Sequence, residues 1–340
     1  MITVLEPGRF TSFQDGGRGG LAHLGVPRAG AADCLSLRQA NLLAGNPEYA
    51  TALEMTVSGP TLRFEANAVI ALAGGRMEAC LDDSPIPMYQ SVAVRAGQVL
   101  TCGSVLMGMR CYLAVAGGFS LAPVLASTST DTFSGLGPSV LRAGDSFAIQ
   151  SRSLHEGWYL RAPPEFSDEI TLRVIPGPHA EWFATSALED FLQSRFEVRA
   201  DSDRTGVRLM GRRISRNNRG ELRSQGMVSG AVQVPSDGHP IVLLPNHGTT
   251  GGYPVIAVVI QADLPRLGQL RSGANVLFEA VNREQALMVL QTTEAEMRQA
   301  IVAADSGLLA VRSLMVLAKT HLTLREASLH LGRWRVRLRR

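Results

Sequence analysis

The sequence predicts a mainly β protein with a few helices, folded as barrels or sandwiches. Short stretches enriched in Val, Ile and Leu run through most of the chain, and turns of Gly, Pro and Asp separate them. Helical periodicity is confined to a few segments, so the regular alternation of strands and helices that builds a parallel sheet is missing. The predicted strands include SVAVRAGQVLTCG, CYLAVAGGF, ITLRVIPG, GVRLMG, GAVQVPSDGHPIVLLP and PVIAVVIQADL.

Three segments have the periodicity of helices. The first covers residues 33–45, DCLSLRQANLLAG, where Asp33 is placed to cap the N-terminus and Gly45 to end the helix. The second is predicted over residues 179–193 and the third over residues 283–304. These helices interrupt an otherwise β-rich chain.

The chain of 340 residues exceeds one typical domain, which favours two. An internal echo points to two related halves, because a Gly-Gly pair lies beside an apolar strand in both YLAVAGGF and TTGGYPVIAVV. The strand pattern stops near residues 151–169. We therefore predict an N-terminal β domain over residues 1–155, a C-terminal β domain over residues 165–285, and a helix with a basic tail over residues 286–340.

The composition is that of an ordinary globular protein, with 45% hydrophobic and 19% charged residues. The formal net charge is +3, but the tail from Asp305 onward has eight basic and two acidic side chains, a balance of +6 that leaves −3 on the rest. Such a tail could contact nucleic acid or anionic lipid. A solvated end or a subunit contact is the more common role, so we expect no nucleic-acid partner.

Cysteine spacing and the N-terminus favour a cytoplasmic protein. The four cysteines form no Cys-x-x-Cys pair, and MITVLEPGRF has neither the basic nor the apolar region of a signal peptide. The most apolar run, PVIAVVI, has the length of a strand and is far shorter than the roughly 18 residues of a membrane span. We therefore expect no membrane segment.

Lys319, in the basic tail, is the only lysine of the chain. A P-loop needs a lysine after its glycines to reach the phosphates, so HGTTGGYP is not a P-loop and a Walker-type ATPase is excluded. A Schiff-base lysine in the body of the chain and a biotin-attachment lysine between methionines are excluded as well. If the protein works with ATP or carboxybiotin, either a partner carries that group or an unorthodox pocket binds it.

The stretch FQDGGRGGLAHLGVPRAGAAD, residues 13–33, threads polar side chains through six glycines. Gln14, Asp15, Arg18 and Asp33 could contact a ligand there, because loops on a rigid scaffold often carry function and glycines let the backbone approach a ligand. The alternative is a Gly-rich connection with one surface ion pair. The density of polar residues favours a functional loop.

A predicted hairpin turn, ADSDRTGVRL, carries Asp201, Asp203 and Arg204 at its tip. An arginine can hold an acidic substrate group through two hydrogen bonds, and the neighbouring carboxylate can orient a general base. An EF-hand loop would need further oxygen ligands and a final Glu, which are absent. A solvated turn remains an equal alternative.

Further polar candidates follow on the next predicted strand and its turns. Gln233 lies on the strand, and His239 follows a Ser-Asp-Gly turn. His239 and His247 are eight residues apart with no cysteine nearby, which is no recognised zinc spacing. We therefore predict no metal site.

The stretch NHGTTGGYP, residues 246–254, lies between two apolar runs and leaves two interpretations open. Successive N–H groups of Thr249 to Gly252 could form a nest that binds an anion, with the threonine hydroxyls and Tyr253 as further donors. Alternatively, the glycines serve only the geometry of a β-bulge. The absence of a Gly-x-Ser-x-Gly elbow disfavours a triad hydrolase.

Seven blocks of the sequence resemble, in order, the carboxyltransferase-like family known as allophanate hydrolase subunit 2. The family includes KipA-like proteins, the C subunit of bacterial 5-oxoprolinase and the carboxyltransferase domain of urea amidolyase. The blocks lie within residues 2–282 and are LEPGRFTSFQDGGRGG, LGVPRAGAAD, ANLLAGN, LEMTVSGPTLRF, SDRTGVRL, GAVQVPSDGHPIVLL and TTGGYPVIAVV.

The resemblance implies two cyclophilin-like β-barrel domains and work within a complex. The implied partners are a KipI-like B subunit and, in 5-oxoprolinase, a LamB/YcsF-like A subunit; that complex opens a cyclic amide, 5-oxoproline, to glutamate with ATP. We expect ATP to be bound together with a partner subunit and no covalent biotin on this chain. The alternatives are carboxyl transfer from carboxybiotin to urea or a related amide, and a non-catalytic, regulatory KipA-like role.

Two departures from the family pattern favour altered activity. Many relatives read Asp-x-Gln or Asp-His-Gln before TTGGYP, where this chain has Asn246, His247 and Gly248. Relatives also tend to carry Gly-Gly and a following Gly-Arg near SGLGPSVLRAGD, where this chain has Ser134-Gly135 and Gly137-Pro138. An acid, an amide and an arginine are thereby lost.

Together, the residues and the resemblance predict one pocket that joins the Gly-rich loop to Thr-Thr-Gly-Gly. Arg18 and Arg204 are predicted to bind phosphate or carboxylate, Asp15 to orient or deprotonate, and Thr249 and Thr250 to receive an oxyanion. The predicted substrate-binding residues are Gln14, Asp33, Asp203, Gln233, His247, Gly251, Gly252 and Tyr253.

Overall fold

The computed structural model describes residues 1–150, 158–217 and 222–303, and the backbone of two short strands further on. The α-helices of these residues are α1 (Cys34–Leu43), α2 (Ala187–Gln193), α3 (Leu264–Leu267) and α4 (Arg283–Ala300). Single 3-10 turns cover Ala22–Leu24, Ala180–Trp182 and Gln261–Asp263.

Strands make up most of the remaining regular structure. Those of the N-terminal half are β1 (Ile2–Glu6), β2 (Phe10–Gln14), β3 (Ala52–Thr56), β4 (Thr61–Phe64), β5 (Ala68–Leu81), β6 (Ser84–Pro85), β7 (Ser91–Val94), β8 (Val99–Val115), β9 (Ser146–Phe147) and β10 (Trp158–Leu160). Those that follow are β11 (Glu169–Pro176), β12 (Phe196–Val198), β13 (Gly206–Met210), β14 (Gln225–Gly226), β15 (Ala231–Gln233), β16 (Ile241–Leu243), β17 (Thr250–Gly251), β18 (Val255–Val259), β19 (Asn275–Ala280), β20 (Ile301–Ala303), β21 (Ser328–Leu331) and β22 (Trp334–Arg337).

Nine N-terminal strands form one sheet that curls into a half-barrel. The strand order is β2-β3-β8-β4-β1-β9, and β5 pairs with β6, β7 and β8. The register of β5 against β8 shifts between Gly74 and Ala79, and such bulges increase the twist that bends a sheet. The core inside the curl includes Phe13, Phe119 and Phe147, whose rings pack edge to face with centroids 5.2–5.5 Å apart.

Seven C-terminal strands close into a barrel in the order β11-β18-β15-β16-β13-β12-β19. Closure depends on β11 and β19, which pair in parallel from Glu169 opposite Asn275 to Val174 opposite Ala280. A closed barrel leaves no unpaired edge strand. The predicted mainly β fold of two barrel-like units is thus confirmed, as a curled half-barrel and a closed barrel, while the predicted domain boundaries stay predictions.

The helix predictions are confirmed at residues 33–45 and corrected at residues 179–193. Asp33 caps α1 as predicted, because its carboxylate accepts from the N–H of Ser36 at 2.9 Å. The second segment is a 3-10 turn and the short helix α2, with extended backbone between them. Phe183 interrupts the helix because it is buried in the barrel core and bridges Arg216 in β fashion.

Helix α4 leads the chain back from the barrel to the half-barrel. It begins in a capping box at Asn282 and ends at Ala300, short of the predicted residue 304. The chain then becomes β20, which pairs with β10 and buries Ile301. The helix ends early because this backbone pairs as a strand.

Some sequence predictions lie outside the described residues. The proposed seam overlaps residues 151–157, and most of the basic tail lies beyond residue 303. Within that tail the structure describes only the antiparallel pairing of β21 with β22. In the described part of the chain, every helix is too short or too polar to cross a bilayer.

Candidate functional site

The Gly-rich loop after β2 holds Asp15 in a cage of hydrogen bonds. Its carboxylate accepts from Ser129 Oγ at 2.5 Å, from Ser127 Oγ at 2.7 Å and from the N–H groups of Gly17 and Thr128 at 2.7 Å. Burial acts to raise the pKa of Asp15, but these hydrogen bonds outweigh it and leave the pKa below its ordinary value. The carboxylate is therefore suited to orienting its surroundings and is a weak base.

Arg18 lies under the same loop and is 2% exposed. Its Nε donates to the carbonyl of Val124 at 3.2 Å and its Nη2 to that of Ser129 at 2.6 Å. Its Nη1 has no hydrogen-bond partner among the described protein atoms. Burial lowers the pKa of Arg18, and the charges of Asp15 and Asp131 oppose that effect. One end of a buried cation is thus free to donate to a ligand.

Gln14 lies at the end of β2, where the Gly-rich loop begins, and has an unpaired acceptor atom. Its Nε2 donates to Ser12 Oγ at 3.0 Å and to the carbonyl of Thr130 at 3.1 Å, whereas its Oε1 has no partner in the described chain. Thr130 Oγ1 is also buried and unpaired there. Thr130 lines a cavity of about 340 Å³ together with Asp131 and Gly137, which we call the loop cavity.

Glu54, on β3, is fully buried and joins the half-barrel to the barrel. Its Oε1 accepts from Nη1 of Arg204 and lies 3.5 Å from Nε of Arg110. Arg204 lies on the turn between β12 and β13. The Oε2 of Glu54 accepts from the N–H of Ala32 at 2.9 Å and from the hydroxyl of Tyr112 at 2.7 Å. We call Glu54 and these two arginines the buried junction.

The electrostatics of the buried junction favour the ionised carboxylate. Burial acts to raise the pKa of Glu54, but the charges of Arg204 and Arg110 and the hydrogen bonds from Ala32 and Tyr112 hold it below its ordinary value. The charge is thus stable inside the protein because partners surround it.

Both terminal nitrogens of Arg204 are bonded to protein acceptors, whereas its Nε has no hydrogen-bond partner among the described protein atoms. Its Nη1 is bonded to Glu54, and its Nη2 donates to the carbonyl of Gly30 at 2.5 Å and to Asn246 Oδ1 at 3.1 Å. This placement disfavours the predicted binding of phosphate or carboxylate by Arg204, because an external anion at the terminal nitrogens would have to displace these acceptors.

Asn246, where many relatives have an acid, bridges two charged groups. Its Oδ1 accepts from Arg204 while its Nδ2 donates to Asp131 Oδ1 at 3.2 Å. An aspartate could accept from the arginine but could not donate to Asp131. The amide therefore suits this arrangement better than an acid.

Asp33 and Asp203, both predicted to bind substrate, hold the backbone. Asp33 is 3% exposed; it caps α1 and accepts from Gln269 Nε2 at 2.7 Å. Asp203 accepts from the N–H of Thr205 at 2.8 Å and shapes the hairpin turn. Substrate binding by Asp33 does not fit its burial, because both carboxylate oxygens are already bonded to protein donors.

The TTGGYP loop forms a short strand instead of a nest. Thr250–Gly251 (β17) pairs with β14, and the carbonyl of Thr249 accepts from the N–H of Met227 at 2.9 Å. Within the described stretch 246–254 no residue has a positive φ, and in extended backbone successive N–H groups point to opposite sides. The backbone of Thr250–Gly251 therefore does not form the nest considered for residues 249–252, and the prediction that Thr249 and Thr250 receive an oxyanion now rests on their hydroxyls and stays a prediction.

The bulge alternative fits better. The register of β15 against β18 shifts between Val232 and Gln233, just beyond the loop. Gly251 packs closely against Gln233, because a Cβ there would lie 2.6 Å from Nε2 at the end of that side chain, which would have to shift. Gly252 likewise faces the carbonyl of Leu222, at 3.3 Å from an added Cβ.

His247 is buried, and its Nδ1 lies 2.7 Å from the carbonyl oxygen of Gly248. Burial lowers the pKa of His247, and this hydrogen bond opposes the shift without cancelling it. The imidazole is therefore neutral at pH 7. It supports the turn between Asn246 and β17.

A second cavity, of about 460 Å³, lies against strands β13, β15 and β16 and is called the barrel cavity here. Two of the predicted substrate-binding residues, Gln233 and Tyr253, line it together with Arg199, Arg208 and His239. Tyr253 is 47% exposed, as expected of a side chain at the rim.

The structure divides the predicted single pocket into separate places. Asp15 lies in its cage at the Gly-rich loop and Arg18 packs against Gly137 of the loop cavity, whereas Arg204 lies in the buried junction. Gln233 and Tyr253 line the barrel cavity. The two cavities share no lining residue. The part of the chain that the structure describes has no group of three His, Cys, Asp or Glu side chains that could hold a metal ion.

The residues that the sequence analysis missed are Glu54, Arg110, Thr130 and Asp131. Glu54 left a usable signal, because β3 reads ALEMT and a carboxylate amid buried apolar residues is nearly always paired. Arg110 opens the apolar run RCYLAV in the same way. Thr130 and Asp131 lie in a polar loop with no such contrast.

Comparison with known proteins agrees with this architecture. Residues 24–280 match the family model described as carboxyltransferase domain, subdomain A and B. The C subunit of 5-oxoprolinase from Escherichia coli is 37% identical over 302 residues, which cover 88% of this chain and 97% of that protein. The corresponding subunit of Haemophilus influenzae is 35% identical over the same length.

Larger relatives contain the same unit as one part. Urea amidolyase of Saccharomyces cerevisiae is 30% identical over 321 residues, and the chain spans 17% of its length. The crystal structure of the K. lactis urea amidolyase superimposes with a TM-score of 0.82 at 28% identity, covering 87% of this chain and 20% of that one. With a family match over most of its length and the same two-unit fold, this chain belongs to the family of carboxyltransferase domains with subdomains A and B.

Proposed function

We propose that this chain is the C subunit of an ATP-dependent complex of the 5-oxoprolinase type, which opens a cyclic amide to an amino acid. The observation that carries the proposal is the match over 97% of the length of a protein named as the C subunit of 5-oxoprolinase. Similarity over nearly a whole subunit favours the same place in an assembly more strongly than a match to one domain of a larger enzyme.

The geometry supports chemistry on a neutral amide. Arg18 provides an unpaired N–H next to Asp15, whose low pKa keeps it ionised in its cage. A fixed cation beside a fixed carboxylate can polarise an amide carbonyl and hold the developing charge on oxygen. Because the donors are already in place, little reorganisation is needed when a substrate binds.

The chain is proposed to act with partner subunits, a KipI-like B subunit and a LamB/YcsF-like A subunit. We propose that ATP is bound together with such a partner, because the described body of the chain contains no lysine to reach its phosphates. For the same reason we propose no covalent biotin on this chain. A cytoplasmic location is proposed because all four cysteines are free thiols in the structure, as is usual in a reducing compartment.

Carboxyl transfer to urea or a related amide is the second candidate, favoured by the TM-score of 0.82 to urea amidolyase. The two candidates differ in what they need. Carboxyl transfer needs a biotin carboxylase and a biotin carrier from other chains, whereas lactam opening needs only the A and B subunits and ATP. Copurification of a biotinylated protein would therefore favour the second candidate.

Reconstitution tests the first candidate. The full chain is mixed with candidate A and B subunits from the same organism, and glutamate released from 5-oxoproline is measured with and without ATP. We expect release only when all chains and ATP are present. Release that is equal without this chain would contradict the proposal.

Variants on one loop refine this test. Arg18→Ala should lower glutamate release at least tenfold, because a hydrogen bond from a charged group contributes about 1.5–3 kcal/mol. Arg28→Ala, on the same loop but exposed and with one long contact of 3.4 Å to Gly16, is the matched control and should keep full activity. Circular dichroism checks that both variants fold. Full activity of Arg18→Ala would remove this arginine from the mechanism.

A further inference from the structure

Three buried polar atoms beside the Gly-rich loop have no hydrogen-bond partner among the described protein atoms. They are Gln14 Oε1, Arg18 Nη1 and Thr130 Oγ1, on side chains that are 0%, 2% and 4% exposed. An unpaired buried polar group costs about 1–3 kcal/mol, and most native groups of this kind are paired. Three such atoms on neighbouring residues indicate a place that is built to take a polar ligand.

Protein hydrogen bonds fix the three side chains next to one another. Gln14 Nε2 donates to the carbonyl of Thr130, and Arg18 Nη2 donates to the carbonyl of the preceding residue, Ser129. Thr130 lines the loop cavity. Gly137 also lines this cavity and packs against Arg18, since a Cβ on that glycine would lie 2.8 Å from Arg18 Nη2.

The unpaired atoms present one fixed acceptor, one fixed donor and one adaptable hydroxyl. Gln14 must turn its nitrogen toward the carbonyl of Thr130, because a carbonyl only accepts, and this leaves Oε1 as the unpaired atom. Arg18 Nη1 can only donate. The Thr130 hydroxyl can do either. This pattern is complementary to a group that carries an N–H and a C=O side by side.

The surrounding charges disfavour an anion at this place. The charges of Asp15 and Asp131 already act on Arg18, and Asp131 lines the loop cavity, so an anionic group there would be repelled by a carboxylate. It would also meet the partial negative charge of Gln14 Oε1. A neutral amide has no such penalty, because its N–H can face the Gln14 oxygen while its carbonyl faces the arginine.

We propose that Gln14, Arg18 and Thr130 form a subsite for the cis-amide edge of a small lactam. A five-membered lactam has its N–H and C=O on the same side because the ring forces the amide to be cis. Gln14 Oε1 accepts the lactam N–H, and Arg18 Nη1 and the Thr130 hydroxyl donate to the carbonyl oxygen. This inference rests on the proposed function and names which part of the substrate the chain recognises.

The rim of the loop cavity fits the rest of such a substrate. Arg142 is the only cation among the residues that line this cavity, and it is exposed. A ring carboxylate directed outward would therefore meet this arginine instead of the acidic pair around Arg18. Leu136, Pro138, Val140 and Leu141 give the cavity apolar walls for the ring methylenes.

Lactam binding to the full chain tests the subsite without the partner subunits or ATP. The probes are 2-pyrrolidinone, which lacks the carboxylate, and N-methyl-2-pyrrolidinone, which lacks the N–H; affinities come from NMR titration. The methylated lactam should bind at least about tenfold more weakly, since it loses one buried hydrogen bond and adds bulk against Gln14. Equal affinity for the two lactams would overturn the proposal.

Two threonines of the loop cavity provide matched variants. Thr130→Val should weaken 2-pyrrolidinone binding about tenfold, while its melting temperature without ligand should stay the same or rise, because the hydroxyl that it removes is unpaired in the protein. Thr132→Val, also in the cavity wall but exposed, should leave affinity unchanged. A lower melting temperature of Thr130→Val with unchanged affinity would show a structural role and reject the subsite.

A crystal structure of the chain soaked in 2-pyrrolidinone gives a second measurement. Density for the ring against Gln14 and Arg18 is expected, and ordered water alone at saturating lactam would reject the subsite. Both measurements detect lactam binding and do not require the complex to be active. If the complex opens 5-oxoproline but Thr130→Val leaves lactam affinity unchanged, only the subsite is rejected. If lactams bind at this subsite but the complex does not open 5-oxoproline, only the proposed function is rejected.

Discussion

Replacing Glu54 by glutamine should unfold the protein at a much lower temperature. The side chain is fully buried and accepts from Arg204, Tyr112 and the N–H of Ala32, with Arg110 at 3.5 Å. Glutamine has the same shape but one oxygen only, so its NH₂ must face two groups that donate. The variant also leaves two buried guanidinium charges without a counter-ion.

The size of the effect follows from these lost contacts. Removing one partner of a buried ion pair costs about 3–5 kcal/mol, because the remaining charge stays desolvated. For a domain of this size each kcal/mol lowers the melting temperature by about 2–4 °C, so a fall of about 10 °C is expected. Differential scanning calorimetry and urea unfolding measure it. Glu65→Gln, at an exposed pair with Arg63, is the control and should melt with the wild type.

The pH dependence gives a second check on the same residue. The pKa of Glu54 is lower in the fold than its ordinary value of 4.5, so its contribution to stability is complete above that value and is lost as pH falls through the folded pKa. The difference in unfolding free energy between wild type and Glu54→Gln should therefore shrink below about pH 4.5. A melting temperature of the variant within about 2 °C of the wild type, or a pH-independent difference, would refute the buried junction as the contact that joins the two halves.

Two further predictions concern the contact of α4 and a buried thiol. Arg38→Ala should speed amide hydrogen exchange along α4, because Arg38 holds Glu294 through two hydrogen bonds of 2.6 Å; the exposed Arg298→Ala is the control, and equal exchange in both variants would contradict this role. Cys102 should resist iodoacetamide at pH 8 in the native protein and react once unfolded, because burial raises the pKa of its thiol to about 12, which leaves about one molecule in 10,000 as thiolate; rapid native alkylation would contradict the burial.

Local signals predicted the elements that depend on neighbouring residues. Asp33 and Gly45 bracket α1 because a cap needs only the backbone next to it. The segment at residues 179–193 failed for the opposite reason. Phe183 takes an extended conformation to reach the barrel core, and that requirement comes from strands far away in the sequence.

The candidate site could be predicted only in part, because its partners come from distant segments. The Gly-rich loop drew attention to Gln14, Asp15 and Arg18 through its composition. The roles of these three residues depend on their contacts with Ser129 and Thr130, which follow more than 110 residues later. In the sequence, Ser129 and Thr130 look like any other residues of a polar loop. Spacing along a chain does not show which polar atoms remain unpaired after folding.

Because α4 and β20 return to the half-barrel, the contacts of the first half are completed late in synthesis. The ribosome synthesises Arg38 long before its partner Glu294, which lies 256 residues later. Likewise, β10 can pair with β20 only after the whole barrel has been synthesised. The first half therefore emerges with a surface that only the end of the second half can cover. A nascent chain that stops after the barrel would leave exposed the half-barrel surface that α4 and β20 cover. Chaperones and proteases can recognise such a surface, so the first half is protected only once the second half is complete.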